Sequence, residues 1–284
     1  MRKLLVISIV LAVSVLGAAA QVIPASGDIP KNDPGAYFGL MGDIAVEKKI
    51  LPELTLHAKG EFRMQGYFWD EHHLRLGAGA EYKLSKKVTL LGDYTMIRKH
   101  PSGDRISFRH RIEAGVQEQV KLSKKFKLSF TESLQWTHRA GRMNIYQSAR
   151  NNFAVKMKAK ITYSVSKKVS LFARTELRFG LSEPALADIY YDRQQLQFTD
   201  ADGSPVGTPG WFLDGFSKIS LNRIRSGIGI NYKITRNHKV GFTVLSDYIR
   251  ELDIDSDKYG TVVKSLVNER KSFLYGRIGY TFSF

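Results

Sequence analysis

The stretch from Arg105 to Arg139 limits what this chain can fold into more than any other. Ile106, Phe108, His110, Ile112, Ala114, Val116, Val120 and Leu122 alternate with Arg105, Ser107, Arg109, Arg111, Glu113, Gln117, Gln119 and Lys121. Side chains that switch at period 2 belong to a strand, not a helix. After Ser123, Lys124 and Lys125 the alternation resumes, with Phe126, Leu128, Phe130, Leu134 and Trp136 set against Lys127, Ser129, Thr131, Ser133, Gln135 and Thr137. This pattern predicts an antiparallel hairpin with a three-residue loop, one face greasy and the other charged.

The same turn letters close two more hairpins, at Leu84-Ser85-Lys86-Lys87-Val88 and at Val165-Ser166-Lys167-Lys168-Val169. The arms run about 12 to 17 residues, against roughly 5 or 6 for an ordinary strand. A tilted strand crosses a bilayer in about 9 to 11 residues, so these arms are long enough to span. The mean hydropathy of −0.23 is compatible with this, because half of each spanning strand faces a polar interior.

One long apolar run exists, at the N-terminus. Arg2 and Lys3 precede the apolar Leu4 to Leu16, and small residues end at Ala18, Ala19 and Ala20. The run is shorter than the ~20 residues a spanning helix needs, so residues 1–20 read as a secretory signal cleaved after Ala20. Residues 21–35, with Pro24, Pro30, Pro34, Gly27 and Gly35, read as an extended, flexible lead-in. The barrel then occupies 36–284.

Alternation divides that region into eleven strands, at about 36–48, 53–65, 73–84, 88–99, the two arms of the opening hairpin, 149–165, 169–181, 218–234, 238–252 and 269–284. Turns after the odd-numbered strands are short and those after the even-numbered ones longer. Outer-membrane barrels have short periplasmic turns and longer extracellular loops, which places the Ser-Lys-Lys turns in the periplasm. Tyr67, Phe68 and Trp69 form an aromatic group at a strand end, residues 182–217 form the longest connection, and 253–268 form a second polar loop. A long loop on a rigid scaffold is a natural seat for binding. Bacterial single-chain barrels have even strand numbers, so the expectation is an all-β, transmembrane, antiparallel up-and-down β-barrel of about twelve strands, or alternatively ten.

The last strand carries Ile278, Tyr280, Phe282 and Phe284 alternating with Gly279, Thr281 and Ser283. It resembles the closing strand of bacterial outer-membrane barrels, and the resemblance implies that Tyr280, Phe282 and Phe284 are read by the barrel assembly machinery. Most of the mature chain, roughly 36–284, is similar to the uncharacterised outer-membrane barrels grouped as domain of unknown function 2490. The segments that carry the likeness are HRIEAGVQEQVKLSKKFKLSFTESLQW, SARNNFAVKMKAKITYSVSKKVSLFARTELRF, LNRIRSGIGINYKI and the terminal strand. The family implies an integral protein of the bacterial outer membrane in contact with its lipid, and it brings no reaction with it.

Three-residue turns fix cross-strand partners. On the inner face they set Lys158 opposite Glu176 and Arg225 opposite Asp247, with Arg109, Arg111, Glu113 and Arg174 continuing the charge around the wall. Paired charges filling a narrow lumen make a structural or ligand-binding barrel the expected reading. An excess of Arg and Lys would instead make a narrow anion-selective pore, whose ligand is a small molecule or ion. On the outer face the same register sets His110 opposite His138, with Glu118 and Glu132 nearer the turn. A lipid-modifying enzyme is the third alternative, but no serine stands beside the histidines and no nucleophile–base–orienter set is found, so the reading is not an enzyme and calls for no cofactor. Asp253, Asp255 and Asp257 space carboxylates as calcium loops do, yet the position of the closing glutamate is Lys264, which makes this a weak metal candidate. The net charge of +16 falls mostly on inward positions and turns, so nucleic acid is not an expected partner.

Overall fold

In a computed structural model, the chain closes into a single β-barrel. The structure describes residues 31–32, 36–65, 71–100, 106–140, 151–181, 188–192, 198–199, 205–206, 210–214, 220–256 and 263–284. The expected signal (1–20), all of the lead-in except Lys31–Asn32, the aromatic group Tyr67–Trp69 and Asp257 lie outside the described residues.

Eleven long strands build the wall: β1 (Ala36–Lys49), β2 (Leu54–Gln65), β3 (Glu71–Lys83), β4 (Val88–His100), β5 (Ser107–Lys121), β6 (Phe126–Ala140), β7 (Asn151–Ser164), β8 (Val169–Gly180), β9 (Ser220–Lys233), β10 (His238–Ser256) and β11 (Val263–Ser283). Each pairs antiparallel with its neighbours in sequence, and β11 then pairs with β1 in parallel, Ser272 to Ser283 against Ala36 to Glu47. An up-and-down chain with an odd number of strands brings its first and last strands to the seam running the same way. The count is therefore eleven, not twelve or ten. Among the described residues, neither suspected connection holds another spanning strand. Asp188–Asp192 pairs with Gly210–Asp214 and Phe198–Thr199 with Pro205–Val206, apart from the wall. The expected loop at 253–268 is mostly strand, since β10 and β11 stay paired from Asp253↔Val267 to Ser256↔Val263. Its polar composition does not stop a ladder that protrudes into water.

The turns explain the register. Ser85 Oγ accepts from the N–H of Lys87 and Val88, Ser123 Oγ from Lys125 and Phe126, and Ser166 Oγ from Lys168 and Val169, all at 3.0–3.2 Å. Thr235 does the same for Asn237 and His238. A hydroxyl that bonds its own turn backbone fixes the reversal, and the ladder beyond follows: His110↔His138, Lys158↔Glu176 and Arg225↔Asp247.

Outward positions are apolar and uncovered. Phe38 is 66% exposed, Ile44 61%, Ile228 67% and Ile278 62%, a surface that calls for hydrocarbon around it. Inside, beside the seam, Met41, Leu245, Phe273 and Tyr275 are buried together with Tyr37 and Ile249 packed against them. They form an apolar wedge on one side of the lumen. A Cβ at Gly39 would lie 2.5 Å from the Tyr275 ring and 2.7 Å from the Met64 carbonyl oxygen, so only glycine lets the ring lie against the wall.

The parallel seam is testable because the chain has no cysteine. Leu40 and Gly276 are partners across it, and a Cβ at Gly276 would meet Leu40 Cδ2 at 3.5 Å. The double variant Leu40→Cys/Gly276→Cys is expected to oxidise to an intramolecular crosslink in the folded barrel, seen as altered mobility on a denaturing gel without reductant. Failure to crosslink, with Leu40→Cys/Met64→Cys crosslinking normally across β1 and β2, would contradict the parallel closure.

Candidate functional site: a two-chamber lumen

Inward positions bring the predicted charges together in two adjoining cavities. The cavity toward the loop end is about 290 Å³ and the one toward the turn end about 440 Å³. Six residues line both, Lys59, Lys156, Lys158, Arg174, Arg277 and Glu176, so the cavities meet at a belt. Above the belt stand Arg75, Arg109, Arg111, Arg178, Arg223 and Arg225, with Glu61 as the single carboxylate. Below it stand Asp43, Glu47, Glu81, Asp93 and Glu113, with His57 and no lysine or arginine.

Some of this charge is structural. Asp247, with none of its surface exposed, receives two arginines. Arg223 Nε donates to Oδ1 at 2.6 Å and its terminal nitrogen to Oδ2, while Arg225 donates to Oδ2 at 2.7 and 3.2 Å. Glu61 accepts from Arg63 and Arg75, both at 3.2 Å, with Lys59 Nζ at 3.8 Å. Lys156 Nζ reaches both oxygens of Glu113 at 2.8 Å, and Ser133 Oγ donates to the same carboxylate at 2.8 Å. Arg277 Nε donates to Asp43 Oδ1 at 2.5 Å across the seam. His57 Nε2 and Asp93 Oδ1 are 2.6 Å apart. Desolvated charges are tolerated only in such pairs.

The rest of the charge is left over. Lys158 and Glu176 are register partners, but among the described residues they make no ion pair. Arg174 has none either, and its Nε–H is buried without an acceptor. Arg111 donates only to Thr137 Oγ1, at 3.3 Å. The predicted network of Arg109, Arg111, Glu113, Lys158, Arg174, Glu176, Arg225 and Asp247 thus shares one lumen, split between ion pairs that brace the wall and cations aimed at open space. Arg75, Arg178 and Arg223 join it from inward positions of β3, β8 and β9. The carboxylate chamber was not foreseen, because its carboxylates come from four different strands.

The outer face carries the other candidates. The β5–β6 ladder is unbroken, so no bulge turns His110, His138, Glu118 or Glu132 inward. His110 Nδ1 lies 2.7 Å from Tyr94 Oη, and His138 Nδ1 lies 2.9 Å from Asn151 Oδ1. Shallow grooves of about 540 and 480 Å³ on this face run over Ala159, Ala173 and Ile228. Thr175 and Ser226 satisfy one another there at 3.1 Å. At the terminus, Tyr280 Oη lies 2.5 Å from His238 Nδ1, the rings of Phe282 and Phe284 stack at 5.5 Å, and Phe284 is exposed. Asp253 and Asp255 occupy ladder positions opposite Val267 and Ser265, not a loop.

No family model and no curated protein matches the chain. Solved outer-membrane structures align with it at low identity. The NanC porin in a rhombohedral crystal form is 13% identical over 87% of this chain and 99% of that one, with a TM-score of 0.42. A bacterial polysaccharide outer membrane secretin is 10% identical over 71% and 60%, at 0.40. The KdgM porin in complex with disordered oligogalacturonate is 8% identical over 74% and 90%, at 0.39. The fold itself rests on the closed ladder of β1 to β11.

The double-arginine clamp on Asp247 yields a stability test. Asp247→Ala leaves two partly buried cations facing each other and is expected to cost about 1 to 3 kcal/mol. Heat-modification on gels reads this as a lower melting temperature. Adding Arg225→Ala recovers part of the loss and adding Arg223→Ala as well recovers more; identical melting of all three variants would remove the clamp.

Proposed function

We propose that the protein is a pore of the bacterial outer membrane that admits small anionic solutes. The observation that carries this reading is the loop-end cavity, lined by eleven lysines and arginines against two glutamates. Barrels of about eight strands are just filled by their own side chains, whereas 16 to 18 strands enclose an aqueous channel. Eleven strands lie between, and the open volumes support a narrow, wet passage rather than a plug. Rings of Arg and Lys favour anions, and cations that no carboxylate offsets, such as Arg111, Arg174 and Lys158, supply the field. A structural or ligand-binding barrel filled by paired charges is the less favoured reading, because the pairs hold the wall and leave the belt cations over. His110 and His138 meet Tyr94 and Asn151, and Thr175 and Ser226 meet each other, so among the described residues no histidine activates a serine or threonine hydroxyl for the lipid-modifying alternative.

The apolar exterior and the short Ser-Lys-Lys turns support an outer-membrane setting with those turns in the periplasm. Export through residues 1–20, recognition of Tyr280, Phe282 and Phe284 by the assembly machinery, and kinship with the domain 2490 barrels complete this reading. That kinship rests on the sequence segments alone.

Refolded protein in planar bilayers tests the pore. In a KCl gradient the reversal potential is expected to favour chloride. Arg111→Ala with Arg174→Ala should lower the chloride-to-potassium ratio by roughly two- to fivefold per charge removed, the Boltzmann weight of about 0.5 to 1 kcal/mol between near charges in water. Absence of conductance steps, or potassium selectivity, would overturn the assignment.

A further inference from the structure

The lumen is not uniformly basic. Its loop-end chamber is built from six arginines and one glutamate beyond the shared belt, and its turn-end chamber from five carboxylates and a histidine. A simple anion drawn to the arginines meets carboxylates on its way onward. A simple cation meets the arginines. The excess of Lys and Arg favours the anion over the cation, but neither is attracted along the whole passage, and this separation of charge along one path needs a function of its own.

We infer that the preferred solute is a small zwitterion, held across the belt with its anionic group toward the arginines and its ammonium group toward the carboxylate chamber. The inference rests on the pore reading and deepens it by naming the class of solute. The two fields approach closely. Arg111 and Glu113 are two residues apart on the same inward face of β5, about 7 Å at the rise of a strand, and a short aliphatic chain with a charge at each end spans that gap. The lower field is not cancelled by the wall. Asp43, Asp93 and Glu113 are taken up by Arg277, His57 and Lys156. Among the described residues the Glu47 carboxylate meets only the hydroxyl of Ser283, at 3.2 Å, and Glu81 makes no ion pair. Those two carboxylates play toward an ammonium group the part that Arg111 and Arg174 play toward an anion. Each member of the solute's pair then finds an opposite charge, while a solute with two like charges finds one attractive chamber and one repulsive one.

Three probes of equal chain length separate the possibilities: adipate, ε-aminocaproate and hexamethylenediamine, each radiolabelled and offered to liposomes holding the full refolded chain. ε-Aminocaproate is expected to enter about fivefold faster than either of the others, the ratio that roughly 1 kcal/mol of contact attraction in water provides. Glu47→Gln with Glu81→Gln keeps the size of both side chains, and is expected to bring ε-aminocaproate down to the rate of adipate while the barrel still shows heat-modifiability. Adipate entering the native protein as fast as ε-aminocaproate would overturn the inference and leave the anion pore standing. Entry of no probe above protein-free liposomes would overturn the pore and the inference together.

Discussion

Inside a bilayer no backbone N–H or C=O can be left to water, so a sheet that crosses it must close on itself. Everything else in this structure depends on how that closure is met by eleven strands. Two strand ends running the same way are joined by the parallel ladder of β1 and β11, and the termini knit to it: Lys49 N–H donates to the Phe284 carbonyl oxygen and Phe284 N–H to that of Glu47. Behind the seam stand Tyr275, Phe273, Met41 and Leu245, and Tyr275 Oη donates to Gln65 Oε1 at 2.7 Å. The parallel joint departs from the antiparallel pairing of the other long strands, and it is the part packed by an internal core.

That wedge also shapes the passage. By filling part of the seam side with apolar groups it leaves the open volume mainly to β2 through β9, joined by Asp43 and Glu47 of β1 and Arg277 of β11. Within that volume the ion pairs and the remaining charges do different work. Asp247, Glu61 and Glu113 hold Arg223, Arg225, Arg63, Arg75 and Lys156 at fixed places on the wall. Cations not so held set the potential that a solute meets.

Much of this was legible in the sequence, because strand parity and turn chemistry are local. Ser123, Ser166 and the turn at Thr235–Asn237 marked the reversals, and counting outward from them gave His110↔His138, Lys158↔Glu176 and Arg225↔Asp247 as the ladder has them. What remained hidden is non-local. Arg223 reaches Asp247 along the diagonal of the sheet, a contact open to long side chains but not fixed by direct register. The parallel seam follows from the parity of the whole count, which no single segment encodes, and an even number was expected on the habit of bacterial barrels. Tyr275 and Leu245 sit at inward positions where alternation leads one to expect charge. The carboxylate chamber gathers Asp43, Glu47, Glu81, Asp93 and Glu113 from four strands, and only the closed wall brings them together.

The central claim is that the lumen is wet and electropositive where Thr137 lines it beside Arg111. Thr137→Cys places a lone thiol there in a chain that has none, and the most direct measurement is its rate of modification in the folded barrel by sulfonatoethyl methanethiosulfonate compared with the trimethylammonioethyl reagent. The account predicts that both react and that the anionic reagent is faster, after correction for their rates with a free thiol, by at least the roughly fivefold that about 1 kcal/mol of attraction confers. A thiol that reacts with neither reagent, or faster with the cation, would contradict it.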